Sequence, residues 1–226
     1  MNKSRKVSAI ATPILENGDL LSRSEFERRY QAMPRLKKAE LIEGIVYMAS
    51  PLRFKSHAQP HANAMGWLWY YTIATPCAFL GDNPTVRLDM DNELQPDAVL
   101  LIDPTRDGQT RIDEQDYIEG APELIIEIAA STASIDLRDK KRVYRRNGVK
   151  EYLVWQVTSN RLNWFSLKGE EYIELLPDAK GIIKSQVFPG LWLSVSALLA
   201  GDMQDVLTNL QAGLSSTEHQ EFVQRL

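Results

Sequence analysis

The chain has one cysteine, Cys77, in 226 residues. A lone thiol forms no internal disulfide and supplies no thiolate cluster for zinc, so nothing here requires an oxidising compartment. Long apolar runs are also missing. The longest, Gly66 to Leu80, is broken by Thr72, Thr75 and Pro76, and falls short of the roughly 20 residues a membrane helix needs. Positive charge is not in surplus: 26 Lys+Arg against 30 Asp+Glu give a net charge of −4. That balance argues against a protein that coats nucleic acid without preference, because neutralising phosphates takes clustered Lys and Arg. Internal repeats and low-complexity segments are absent. Lys3, Arg5 and Lys6 imitate the start of a signal peptide, but Ser8, Thr12 and Pro13 interrupt the segment after them. Export is therefore not expected, and a cytoplasmic location is.

What is present is ordinary for a soluble globular chain: 44% hydrophobic and 25% charged residues, with a mean hydropathy of −0.29. The length suits one domain of roughly 200 residues with a full core, or a domain plus a short tail. Residues 1–24 carry no period and read as an N-terminal leader. Glu25 to Met33 reads as a short helix, with Ser24 as N-cap and Pro34 as its stop. Glu40 to Met48 predicts a β-hairpin around Glu43-Gly44. Ser56 to Ile73 predicts a long amphipathic helix in which Pro60 is tolerated near the first turn. Strands are expected at Thr85–Leu88, Asp97–Ile102 and Glu123–Ala129, the last apolar enough to be covered on both faces. Ser134 to Asn147 predicts a helix closed by Gly148, and Glu151 to Val157 a further strand. A second hairpin, Arg161–Ser166 with Glu171–Leu175, comes next, and short helices are expected from Ser194 onward. The order strand–helix–strand over 123–157 is a βαβ-like unit, which points to a central mixed sheet flanked by helices.

Glu127 is the most informative residue. It lies between Ile126 and Ile128 in an apolar strand, where an ionised carboxylate is costly unless paired or metal-bound. Alternation puts Ile125, Glu127 and Ala129 on one face and Leu124, Ile126 and Ile128 on the other. The plain alternative is a buried carboxylate held by an arginine or by backbone amides. Asp97 stands at the mouth of another strand, after Gln95-Pro96, where a turn aspartate is the plain reading. Two carboxylates on neighbouring strands also make a site for a hard divalent cation such as magnesium.

The helix after the second acid supplies a third group. At 100° per residue Leu137, Lys140, Tyr144 and Asn147 form one stripe, with Arg138, Arg142, Arg145 and Arg146 opposite. Lys140 is thus centred on the face that meets the sheet, and an inward lysine wants a carboxylate such as Glu127; snorkelling to the rim is the alternative. Between Asp136 and Lys150 seven Lys or Arg (138, 140, 141, 142, 145, 146, 150) face two Asp (136, 139), a local excess of five. Such a patch, with Arg138, Lys141, Arg142 and Arg145 at its centre, fits phosphates, although a solvated helix face looks the same.

Pro96-Asp97, Glu127 in its apolar strand, Asp136-Leu137-x-x-Lys140-x-x-x-Tyr144 and Gly148-Val149-x-Glu151-Tyr152 together resemble the Uma-type restriction endonuclease domain family. Glu40-Leu41-Ile42-x-Gly44 and Met48-x-x-Pro51 leading to His57 extend the likeness. That bacterial family belongs to the PD-(D/E)XK nuclease-like superfamily, and the resemblance spans roughly residues 25–195. It implies an α/β fold with a three-layer restriction-endonuclease-like core, extra β-hairpins and a C-terminal helical extension over 196–226. It further implies Asp97 and Glu127 as metal ligands, Glu40 as an additional acid, Lys140 as the relocated lysine, and Mg²⁺ (or Mn²⁺) as cofactor. The superfamily usually carries its lysine two residues after the second acid, where this chain has Ala129. The function implied is metal-dependent hydrolysis of phosphodiester bonds in DNA. The alternative is an inactive relative that binds nucleic acid or protein. A two-carboxylate glycosidase ranks below both, since helical packing explains the Trp67–Tyr71 aromatics better than a sugar cleft does. His57 and His61 read as capping or packing residues, and the exposed aromatics with the C-terminal helices suggest a homodimer.

Overall fold

The computed structural model describes residues 12–49 and 51–226. Residues 1–11 of the expected leader therefore lie outside the described residues. Leu15, within the remainder, is buried with Phe26, Ala39, Leu41 and Val46.

Helix α1 (Arg23–Gln31) is capped by Ser22, whose side chain accepts from the Glu25 amide, two residues before the expected cap. Glu43 and Gly44, at φ 50° and 78°, fold β1 (Ala39–Ile42) back on β2 (Ile45–Met48). Positive φ at both turn residues gives the tight hairpin the sequence predicts. A π-turn over Phe54–Ala58 leads into α2 (Gln59–Ala74), whose buried Trp67, Leu68 and Tyr71 show why its aromatics are there. Next come β3 (Ala78–Asp82), β4 (Val86–Asp89), β5 (Asn92–Leu94), β6 (Ala98–Ile102), the two-residue strands β7 (Arg111–Ile112) and β8 (Ile118–Glu119), and β9 (Leu124–Ala129).

The helix expected over 134–147 is three pieces: α3 (Ala133–Ile135), a π-turn over Asp136–Lys140, and α4 (Lys141–Arg146). β10 (Glu151–Gln156), β11 (Arg161–Lys168) and β12 (Glu171–Glu174) come after it, then the small pair β13 (Ile182–Lys184) and β14 (Trp192–Ser194). The chain ends in α5 (Val195–Ala200), α6 (Met203–Leu214) and α7 (Thr217–Arg225).

Two six-stranded mixed sheets carry the architecture, in the orders β2-β1-β5-β4-β8-β7 and β12-β11-β10-β9-β6-β3. β9 and β10 run parallel, as a βαβ unit requires, with Glu127 opposite Val154. Every residue of β9 is buried. Its Leu124, Ile126 and Ile128 join α2 and α5–α7 in one core, while Ile125 and Ala129 join a second core with Val86, Leu94, Val143 and Tyr144. The alternation read from the sequence is thus the partition between two cores. Among the described residues no helix is long and apolar enough to cross a membrane.

Candidate functional site

Polar groups gather at the second core. Glu40 enters it from β1, Asp97 from the start of β6, Glu127 from β9, and Asp136 and Lys140 from the π-turn. The antiparallel register Ala98 to Ile126, continued by one residue, puts Asp97 opposite Glu127. Paired residues of an antiparallel ladder share a face, so both acids project to the same side.

Lys140 is the centre. Its Nζ donates to Glu40 Oε1 at 2.9 Å and to Glu127 Oε1 at 2.9 Å, and lies 3.7 Å from Asp136 Oδ1. Tyr144 donates its hydroxyl to the same Glu127 oxygen at 3.0 Å, Thr132 donates to Asp136, and the Gln95 amide donates to Glu40 Oε1 at 2.8 Å. Burial would drive the Lys140 proton off, but Glu127, Glu40 and Asp136 outweigh it and hold the ammonium charged well above the ordinary lysine range. Glu127 moves up, chiefly through burial and then through Asp136, Asp97 and Glu40, against the pull of Lys140. Asp136 is raised for the same first reason. Isolated buried charges are prohibitive, and this cluster persists because each group has partners.

Asp97 differs. Burial would raise it, yet His57, Lys38 and the Ile128 amide hold its carboxyl down to about 2. Ile128 N donates to Asp97 Oδ2 at 2.7 Å, while His57 Nε2 and Lys38 Nζ lie 3.3 and 3.5 Å from Oδ1. His61 Nε2 lies 3.0 Å from the Asp97 carbonyl oxygen and 3.2 Å from Asp82 Oδ1, and its ring stacks on that of His57 at 5.9 Å.

Of the residues the sequence singles out, Glu40, Glu127 and Lys140 are in direct contact, and Asp97 sits across the register from Glu127. Arg138, Lys141, Arg142 and Arg145 gather elsewhere, with Glu171 and Tyr172 around a shallow pocket of about 240 Å³. Much of their charge is already matched: Arg142 pairs with Glu43 and Asp139, and Arg145 with Glu171. Lys141 lies 3.5 Å from the centroid of the Phe165 ring.

Sequence reasoning missed three neighbours. His57, read as a capping or packing residue, stands against Asp97, and its buried Nδ1 has no hydrogen-bond partner among the described residues. Asp136 enters the sequence reading as part of a motif and of a charge count, with no role at the site. Lys38 was not noticed, although Lys38-x-Glu40 is the spacing that sends two side chains to one face of a strand. Among the described residues no group of three or more His, Cys, Asp or Glu side chains is placed so that it could hold a metal ion.

Two mixed sheets flanked by helices thus carry these acids and the lysine. The fold matches a crystal structure from Anabaena variabilis ATCC 29413 described as "a putative nuclease belonging to DUF820", with a TM-score of 0.59 and 13% identity over 76% of this chain and 96% of that one. At that identity the likeness establishes the fold alone. Residues 23–196 match the Uma2 family, described as "Putative restriction endonuclease", and the chain belongs to that family. No curated protein matches the sequence. Family membership supports a nuclease-like function.

Proposed function

We propose that the chain is a divalent-metal-dependent endonuclease that hydrolyses phosphodiester bonds in DNA. The observation that supports this most is the pairing of Asp97 with Glu127 across the β6–β9 register, beside an ammonium that also holds Glu40.

The donor set fits a hard cation. Glu40, Asp97, Glu127 and Asp136 bring four carboxylates, against the two ammonium groups of Lys38 and Lys140. With all of them ionised, two negative charges remain, the deficit a divalent ion fills. Mg²⁺ accepts one or two carboxylates and keeps water for the rest of its shell, so two protein ligands suffice. Asp97 and Glu127 would hold it, with Glu40 contributing directly or through water. Such an ion supplies Lewis acidity toward a phosphoryl oxygen and acidifies water.

The chain's own groups do the positioning. Asp97 is ionised at any pH near neutrality and is fixed on one oxygen by the Ile128 amide, while its other oxygen faces His57 and Lys38. Lys140 orients Glu127 and Glu40, and its hold on its proton makes it a poor base for water. The four basic residues on the helix and its flank would meet the DNA backbone as sequence-independent contacts.

The test is cleavage of plasmid DNA with Mg²⁺ or Mn²⁺. Asp97→Ala and Glu127→Ala should each lower the rate by about a hundredfold or more, the scale on which mechanism-bearing groups are felt. Wild-type cleavage that survives both substitutions defeats the reading. One observation favours an inactive relative that only binds nucleic acid: Lys140 already occupies the space between Glu40 and Glu127. DNA binding without cleavage under any divalent ion would favour that alternative.

A further inference from the structure

A side chain that touches an incoming phosphodiester directly must be reachable from solvent, and Lys140 is not. Its side chain is 5% exposed, enclosed by Glu40, Glu127 and Asp136. A second ammonium, that of Lys38, pairs with the remaining acid, Asp97. Lys38 precedes β1, and the ladder runs on through it, since the Ala49 amide donates to the Lys38 carbonyl at 3.4 Å. Extended backbone puts residues 38 and 40 on one face, so the same strand that sends Glu40 into the cluster sends Lys38 to its edge. The Lys38 side chain is 24% exposed, and its Nζ lies 3.5 Å from Asp97 Oδ1. Charge-assisted hydrogen bonds run shorter, about 2.7–2.9 Å. An ammonium has three donors, and the single ion pair of Lys38 among the described residues leaves donors to spare.

We propose that Lys38, not Lys140, is the ammonium that meets the substrate, its Nζ contacting a non-bridging oxygen of the phosphate to be cleaved. The assignment rests on the nucleic-acid hydrolysis proposed above and divides two roles that one lysine was expected to combine. Lys140 is a buried strut that sets the acids. Lys38 carries the charge that solvent can reach. In the hydrolysis a water oxygen bonds to phosphorus, the bond from phosphorus to one sugar oxygen breaks, and the water's proton passes in net terms to that departing oxygen. Lys38 stays protonated throughout and offsets the negative charge that gathers on the non-bridging oxygens.

The experiment is equilibrium binding of a short fluorescent DNA duplex without divalent ion, over about 50 to 200 mM salt, with cleavage measured separately in Mn²⁺. Each phosphate contact contributes about −0.9 to the slope of log affinity against log salt. Lys38→Gln should make that slope shallower by about one and lower kcat by tenfold or more. Lys38→Arg, which keeps the charge, should restore the slope. Lys140→Met, measured where circular dichroism shows it folded, should leave the slope unchanged. The assignment is overturned if Lys38→Gln binds with the wild-type slope, or if folded Lys140→Met is the variant whose slope becomes shallower. Absence of any wild-type binding at low salt removes the nucleic-acid reading itself, and this assignment with it.

Discussion

The Nζ of Lys140 lies 2.9 Å from Oε1 of Glu127, inside a core where both side chains are at most 5% exposed. Neither charge is tolerable there alone. Removing one member of a buried pair costs about 3–5 kcal/mol, mostly because the other is left unmatched. Lys140→Met should therefore destabilise the fold by that amount in urea denaturation, since Glu40, Glu127 and Asp136 would all lose their cation. The double variant Lys140→Met, Glu127→Gln should recover a substantial part. A loss below about 1 kcal/mol for the single variant, the range of exposed pairs, would show that the cluster is not held as described.

Glu151 gives a pH dependence through a group outside the Lys140 cluster. It is fully buried, and that burial pushes its carboxyl from the usual 4.5 up to about 7, although the Gln186 amide, Ser185 and Trp164 all donate to it. The folded state therefore holds this proton more tightly than the unfolded chain does. Its stabilising contribution is complete below about pH 4.5 and is lost as pH rises through about 7. The difference amounts to about 3 kcal/mol. Glu93, raised to about 7 chiefly by burial and then by Glu27, adds a slope of its own. The informative comparison is therefore between wild type and Glu151→Gln, measured by denaturation at several pH values. The variant should lose less stability between pH 5 and 7, by up to one proton's worth of slope. Identical slopes would contradict the assignment.

The acids on strands were legible in the sequence because strand alternation is a strict period of two. Glu127 interrupts an apolar run, and its burial on the Ile125–Ala129 side is a direct consequence. Lys140 and Tyr144 were legible from helical phase, and both reach Glu127 Oε1. Two residues whose place at the site was not legible lie where the period breaks. His57 and Asp136 both sit in π-turns, whose wider winding shifts the helical phase of the residues beyond them, and nothing in local composition marks such a turn. The short strands β5, β7 and β8 escaped because two or three residues carry no period. They form in context, with β8 set by parallel pairing to β4. The pairing of basic helix residues with Glu43 and Glu171 depends on distant hairpins. A count of charges along one helix cannot register that.

Gly213 sets two effects against each other. It lies inside α6, where replacing glycine by alanine ordinarily stabilises a helix by about 1 kcal/mol. A Cβ at this position would, however, stand 2.3 Å from the Gly190 carbonyl oxygen and 2.8 Å from the Trp192 ring. The carbonyl belongs to backbone and cannot swing aside, so α6 would have to lift from the segment leading into β14. Overpacking of this kind costs about 1–3 kcal/mol and occasionally more. Gly213→Ala should thus be net destabilising by at least about 1 kcal/mol in thermal or urea unfolding. A stabilised variant would mean that α6 is not seated this closely.

The basic helix gives a prediction in which removing an acid strengthens binding. Glu43 pairs with both Arg142 and Arg146 from the tip of the β1–β2 turn, and Arg142 holds its carboxyl below the usual range. Those two guanidinium groups are thus committed before any phosphate arrives, whereas among the described residues Arg138 and Lys141 have no ion pair. Exposed pairs contribute about 1 kcal/mol or less to folding, so Glu43→Gln should leave stability nearly unchanged. If DNA is the partner, the same substitution should raise affinity at low salt and steepen the salt slope by about one to two contacts. Arg138→Gln and Lys141→Gln should each make it shallower by about one. Arg142→Gln should do less in the wild-type background than in the Glu43→Gln background, because only there is the guanidinium free to leave the protein's own carboxylate. Equal effects of Arg142→Gln in the two backgrounds would show that Glu43 does not compete with the nucleic acid for this side chain.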